Sequence, residues 1–165
     1  MTGIDGVEVR AATAGDVEAV AALAATRRAA YAEVQPRFWR VADDALERHT
    51  EHLATLVADP AALTLVAVDD RRLLGYLVAI LVPAPPVYAP GGPSGYVDDF
   101  AVTDDRLWPT VGRSLVDEAR RLLLDRGAAQ LVVVSGHHDE AKLAALRAGG
   151  LVTASEWLVA SLDRP

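Results

Sequence analysis

The sequence predicts one α/β domain whose elements run in the order β-α-α-β-β-β-α-β-α-β. Three observations carry this. Short runs rich in Val and Leu alternate with longer stretches whose apolar residues recur at helical spacing. Pro36, Pro60, Gly127 and the pair Gly149-Gly150 fall where those patterns break. The stretch from Gly95 to Arg126 then reads without interruption as strand, turn and long amphipathic helix. At 165 residues and 52% hydrophobic composition, residues 1–165 form a single domain able to bury a core without metals or disulfides.

Val7 to Ala12 is the first strand, and Thr13-Ala14-Gly15-Asp16 supplies the cap of a helix. Val17, Val20, Leu23 and Ala24 give that helix its apolar face and carry it to about Ala32. Tyr31, Phe38 and Trp39 gather several of the chain's few aromatic rings beside Pro36; they are core residues or the wall of a substrate pocket. Asp43 or Asp44 caps a second helix with the apolar face Leu46, Leu53, Leu56 and Val57. His49 and His52 lie three apart on it, have no third ligand nearby, and read as solvated rather than as a metal site. Leu63 to Val68 and Leu73 to Val82 form a hairpin about the turn Asp69 to Arg72. Pro83 to Ser94 is a Pro/Gly-rich connection carrying Tyr88.

The next strand is GYVDDFAV. Alternation puts Tyr96, Asp98, Phe100 and Val102 on one face, with Val97, Asp99 and Ala101 on the other. Two acids in an apolar strand are costly to bury unless paired or used. Asp98 is the better candidate for a general base, its basicity raised by burial and by the neighbouring carboxylate. The helix that follows presents Val111, Leu115, Ala119 and Leu122 to a sheet, and its first residues include Thr110, Gly112 and Ser114. A helix N-terminus carries unpaired N–H groups and partial positive charge, so this corner suits a phosphate. Leu131 to Val134 is a short apolar strand, and Ser135 to Asp139, with His137 and His138, is a turn. A helix from about Glu140 to Ala148 and a last strand, Leu151 to Leu162 with Glu156 and Trp157, complete the order.

The net charge of −7 argues against nucleic acid and anionic membrane as partners and suits a cationic small substrate. The absence of cysteine removes disulfides, thiolate nucleophiles and Cys-based zinc sites. The opening residues MTGIDGVEVR show no secretory pattern, and no apolar run is long enough for a membrane span, so a cytoplasmic protein is expected. Lys142 is the only lysine among 16 basic residues, a skew that reads as compositional. No P-loop signature and no Rossmann fingerprint occurs.

With the phosphate-type turn after the fourth strand, the chain resembles the GNAT superfamily of acyl-CoA-dependent N-acetyltransferases from Val7 to Leu162. That family's Q/R-x-x-G-x-G/A turn falls on Leu107-Trp108-Pro109-Thr110-Val111-Gly112, where only the last glycine matches. The resemblance implies a mixed, mostly antiparallel central sheet of about six to seven strands flanked by four helices. It implies acetyl-CoA as co-substrate, no metal, and direct acetyl transfer to a primary amine of a small acceptor, with Asp98 as base. The coenzyme would be held by Leu107 to Ser114, including Arg113, with a backbone N–H near Ala101 or Val102 polarising the thioester. His138 and Lys142 would add contacts, the N-x-x-A segment of the family falling on His138-Asp139-Glu140-Ala141. Splayed fourth and fifth strands would admit the pantetheine arm. The acceptor would pass Tyr31, Phe38 and Trp39, with Asp99 or Glu156 attracting its charge. Leu146 stands where the family places a tyrosine that protonates the departing thiolate, which leaves a non-catalytic acyl-CoA-binding protein as the alternative. A homodimer is compatible with the family.

Overall fold

The computed structural model describes residues 6–162. The sheet comprises β1 (Val7–Ala11), β2 (Leu63–Asp69), β3 (Arg72–Val82), β4 (Ser94–Val102) and β5 (Gln130–Val133), side by side in sequence order. The first four pair antiparallel, and β5 joins β4 in parallel. A parallel neighbour needs a crossover, which the helix after β4 supplies. The helices are α1 (Val17–Val34), α2 (Ala45–Ala58), α3 (Arg113–Asp125) and α4 (Glu140–Ala148).

Local chemistry explains the boundaries. Thr13 and Asp16 form a reciprocal capping box ahead of α1, and Arg10 clasps Asp16 at 2.8 and 2.9 Å. The β2–β3 hairpin turns through Asp70 and Arg71, at φ of 43° and 72°. Two consecutive positive φ values belong to the primed turns whose twist matches the strands. Gly150, at φ +84°, ends α4 in the left-handed conformation.

Alternation along β2 and β3 builds two cores. Leu63, Leu65, Ala67, Leu77 and Ala79 face α3 and α4; Val66, Val68, Tyr76 and Val78 face α1 and Leu53 of α2. The sheet is therefore a filling between two helical layers.

Four expectations need correction. Among the described residues the sheet has five strands, not six or seven, and residues 151–162 form no strand. Strand propensity needs an edge to pair with, and this stretch leaves Val152, Leu158 and Leu162 almost wholly exposed. Leu46 is also exposed, and the inner face of α2 is His49, Leu53, Leu56 and Val57. Finally, β4 does not alternate cleanly. Val78 pairs with Asp99 but Ala79 with Val97, so Asp98 is an extra residue, a β-bulge. Val97 consequently joins Phe100 and Val102 in the core under α3, instead of sharing the face of Asp99 and Ala101.

At Gly75 the space beside β3 is already filled. A Cβ there would lie 2.9 Å from the Ala101 carbonyl oxygen, 3.1 Å from Val102 and 3.2 Å from Leu115. Gly75→Ala is expected to cost about 1–3 kcal/mol by overpacking. Urea unfolding measures it, and an unchanged midpoint would mean the strand yields freely.

Candidate active site

The bulge separates the two acids of β4. Asp98 is exposed, and its carboxylate has no hydrogen-bond or ion-pair partner among the described residues. The burial expected of Asp98 belongs to Asp99, whose side chain is 16% exposed. The Asp99 carboxylate accepts from the Tyr76 hydroxyl and from His49 Nε2 at 2.8 Å, and pairs with Arg27 at 3.2 Å. Burial pushes its pKa up, but the His49 hydrogen bond, Arg27 and Tyr76 outweigh this and hold it below the usual carboxylate range. Asp99 in turn joins burial in driving the Tyr76 hydroxyl far above an ordinary phenol.

His49 is thus not a solvated histidine. Arg28 donates to its Nδ1 at 2.8 Å, and a guanidinium can only donate, so Nδ1 accepts and Nε2 carries the proton given to Asp99. The signal was in the spacing: His49 lies four residues before Leu53 and seven before Leu56, on the buried stripe. Arg27 had a similar signal, four residues before Tyr31 on one helix, and its guanidinium lies 5.0 Å over that ring. Tyr76 sits inside an apolar run that gave no reason to single it out.

Past Val97 the sheet opens. β5 pairs with β4 only from Ser94 to Val97, with one further bond from Val134 N–H to Val97 O, while β4 continues five residues to Val102. Thr103 N–H bonds Leu74 O on β3, so counting back by twos Ala101 also faces β3. Phe100 and Val102 therefore turn their backbone groups to the opening. Of the two oxyanion donors expected, Val102 faces the open side and Ala101 does not. Side chains occupy the carbonyls there: Arg27 reaches Asp98 O at 3.4 Å and Phe100 O at 3.5 Å. Lys142, fully buried, donates from Nζ to Phe100 O at 3.1 Å and to Val134 O at 3.3 Å.

Beyond β4 the chain enters a 3-10 turn (Asp105–Leu107), then a π turn (Trp108–Gly112), then α3, so the helical run starts before the expected corner. Asp104 caps it, accepting from Arg106 N–H at 2.9 Å and clasping the Arg106 side chain. Trp108 and Val111 belong to the core, with Trp108 edge-on to Phe100 at 4.8 Å. Leu107 and Ser114 are half-buried; Pro109, Thr110 and Arg113 are exposed. Arg113 pairs with Asp117 at 2.7 Å. Gly112 is buried, and a Cβ there would meet the Trp108 ring at 2.6 Å, so packing alone already calls for glycine.

The aromatic residues do come together. Tyr31 and Trp39 lie 5.1 Å apart, Phe38 and Trp39 4.7 Å, and Trp157 of the C-terminal stretch meets Phe38 at 6.1 Å. The Tyr31 hydroxyl donates to Asp139 at 2.8 Å and accepts from Gly136 N–H at 3.3 Å, tying this wall to the start of α4. Glu156 is exposed on the C-terminal stretch, outside the Asp99 network. His138 is exposed and packs on His137; with Asp105, Asp139, Glu140 and Ala141 it lines an open cleft of about 570 Å³.

Solved structures share this architecture. A predicted acetyltransferase from Clostridium acetobutylicum, crystallised with acetyl-CoA, superposes with a TM-score of 0.71 at 15% identity, covering 94% of this chain and 96% of that one. The chain has the GNAT fold. An aminoglycoside acetyltransferase from an uncultured soil metagenomic sample, in complex with sisomicin, matches at TM-score 0.64 and 19% identity, over 98% and 97% of the two chains. Ribosomal-protein-alanine N-acetyltransferase from Brucella melitensis biovar Abortus 2308 matches at 0.63 and 18%, over 94% and 99%. No protein-family model and no curated protein sequence matches. Identities this low speak for the GNAT fold and not for an acceptor.

Asp99 generates a test. A carboxylate whose pKa is lowered by folding contributes stability that is complete above its unfolded value of about 4 and is lost as pH falls. Asp99→Ala is expected to cost on the order of 3 kcal/mol at neutral pH, and to flatten the acid side of the stability profile. Denaturant melts from pH 7 to pH 3 read both; parallel profiles would exclude Asp99 from the acid sensitivity.

Proposed function

We propose that the chain transfers an acetyl group from acetyl-CoA to a primary amine of a small substrate. One observation carries the reading: β4 keeps an open edge beyond Val97, beside the helical run that starts at Asp105, within the GNAT fold. Acetyl-CoA fits that edge chemically. Its pantetheine amides match the Val102 backbone, which no strand pairs, and the N–H of Phe100, whose carbonyl Lys142 and Arg27 already hold, while Thr110 and Arg113, exposed within the helical run, offer a hydroxyl and a charge to phosphate. Arg113 contributes positive charge there. When bound, the coenzyme supplies an activated acyl group.

The chain's own groups then divide the work. The Val102 N–H, on the open side, stabilises negative charge developing on the acyl oxygen. Asp98, exposed and uncommitted, removes a proton from the acceptor through water. Asp99 is unsuited to that task, since its oxygens already accept from three side chains. Tyr31, Phe38 and Trp39 form the wall along which the acceptor enters, and the acidic surface, net −7, favours a cation.

A second reading, acyl-CoA binding without turnover, has Leu146 in its favour: the side chain is apolar and 8% exposed, so it offers no proton to a thiolate. Calorimetry with acetyl-CoA and a thiol-release assay over an amine panel separate the two. Binding with release on some amine supports transfer, binding without release on any supports the second reading, and no binding ends both. Asp98→Asn is expected to lower kcat about 100-fold with acetyl-CoA affinity intact; an unchanged kcat would remove Asp98 from the role.

A further inference from the structure

Lys142 is the only lysine among 16 basic residues, and it is fully buried. Its Nζ stands where β4 and β5 part, bonded to Phe100 O on one side and to Val134 O on the other. The rings of Phe100 and Trp108 lie 5.1 and 5.4 Å away. No carboxylate forms an ion pair with it among the described residues, although removing an unpaired ammonium from water is costly. An ammonium has three donors, and the two carbonyls use two.

Arginine, which this chain uses at every other basic position, brings five donors and a permanent charge. What lysine adds is the ability to lose a proton. The surroundings favour that loss. Burial comes first, and Arg27 of α1 repels the charge; Asp139, ahead of α4, and Asp99 of β4 oppose them only in part, leaving a pKa of about 7.

We propose that Lys142 is the acid that protonates the departing thiolate of coenzyme A, the task for which Leu146 has no proton. The proposal rests on the acetyl-transfer reading above. The acceptor nitrogen attacks the thioester carbonyl, the C–N bond forms, and the nitrogen gives its proton to water or Asp98. The C–S bond then breaks, sulfur keeps the electron pair and takes a proton from Lys142 Nζ, and the neutral amine left behind is reprotonated from solvent. Amide and thiol are the products; from the neutral amine no proton is gained or lost overall, and the proton that a cationic acceptor sheds before attack passes to solvent.

Because the lysine is single, labelling lysine with ¹³C at Cε gives one side-chain signal to titrate. Its midpoint is expected near 7 in the wild-type protein; a midpoint near the ordinary lysine value of about 10.4 overturns the proposal. Lys142→Arg keeps charge and donors but cannot release a proton. With melting temperature and acetyl-CoA affinity retained, it is expected to lose about 100-fold in kcat and the decline of kcat above pH 7. Lys142→Met, which suits the buried site, is expected to lose as much. A Lys142→Arg variant as active as wild type shows a strut and overturns the proposal. So does acetyl on Lys142 found by mass spectrometry after incubation with acetyl-CoA, since the amine would then be an acceptor. If the wild-type chain turns over no amine, the transfer reading falls and takes this one with it; if wild type is active and Lys142→Arg equals it, only this one falls.

Discussion

The unequal support of β4 governs the rest of the molecule. β3 accompanies this strand along its length, while β5 leaves it after four residues. A strand cannot leave carbonyls buried and unbonded without cost, so something other than a strand must reach them. Arg27 arrives from the α1 layer and Lys142 from the α4 layer, and both end on Phe100 O. The two helical layers are thus linked where β5 leaves β4.

The bulge at Asp98 adds a second asymmetry. One extra residue turns two consecutive acids to different fates: Asp98 into solvent, Asp99 under α1 and α2. Burying Asp99 brings a desolvation cost that is offset only because three donors converge on it from α1, α2 and β3. Those donors are set in turn: Arg28 fixes the tautomer of His49, and Arg27 lies over Tyr31. This charged cluster ties α1 and α2 to β3 and β4.

The relation between chemistry and scaffold follows. Asp99, the buried acid, is fully engaged in holding helices to the sheet, and the exposed Asp98 carries no such contacts among the described residues. The aromatic wall of Tyr31, Phe38 and Trp39 is joined to α4 through Asp139, which also caps that helix. Aromatic wall, open edge and Lys142 therefore share one set of supports.

From the residues alone came the order of elements through α4, the hairpin at Asp69 to Arg72 and the inner faces of α1 and α3, while the helical run after β4 starts earlier than the residues suggested. Periodicity, caps and turn residues are local properties that short windows contain. The parity of Val97, the exchange of roles between Asp98 and Asp99, the burial of His49 and the unpaired state of residues 151–162 were not legible. Each depends on which backbone lies opposite, and a bulge or a missing edge is a relation between distant segments. Lys142 shows the boundary between the two. Its solitude is visible in the sequence, but only the parting of β4 and β5 gives a buried ammonium two carbonyls to hold and a place to act.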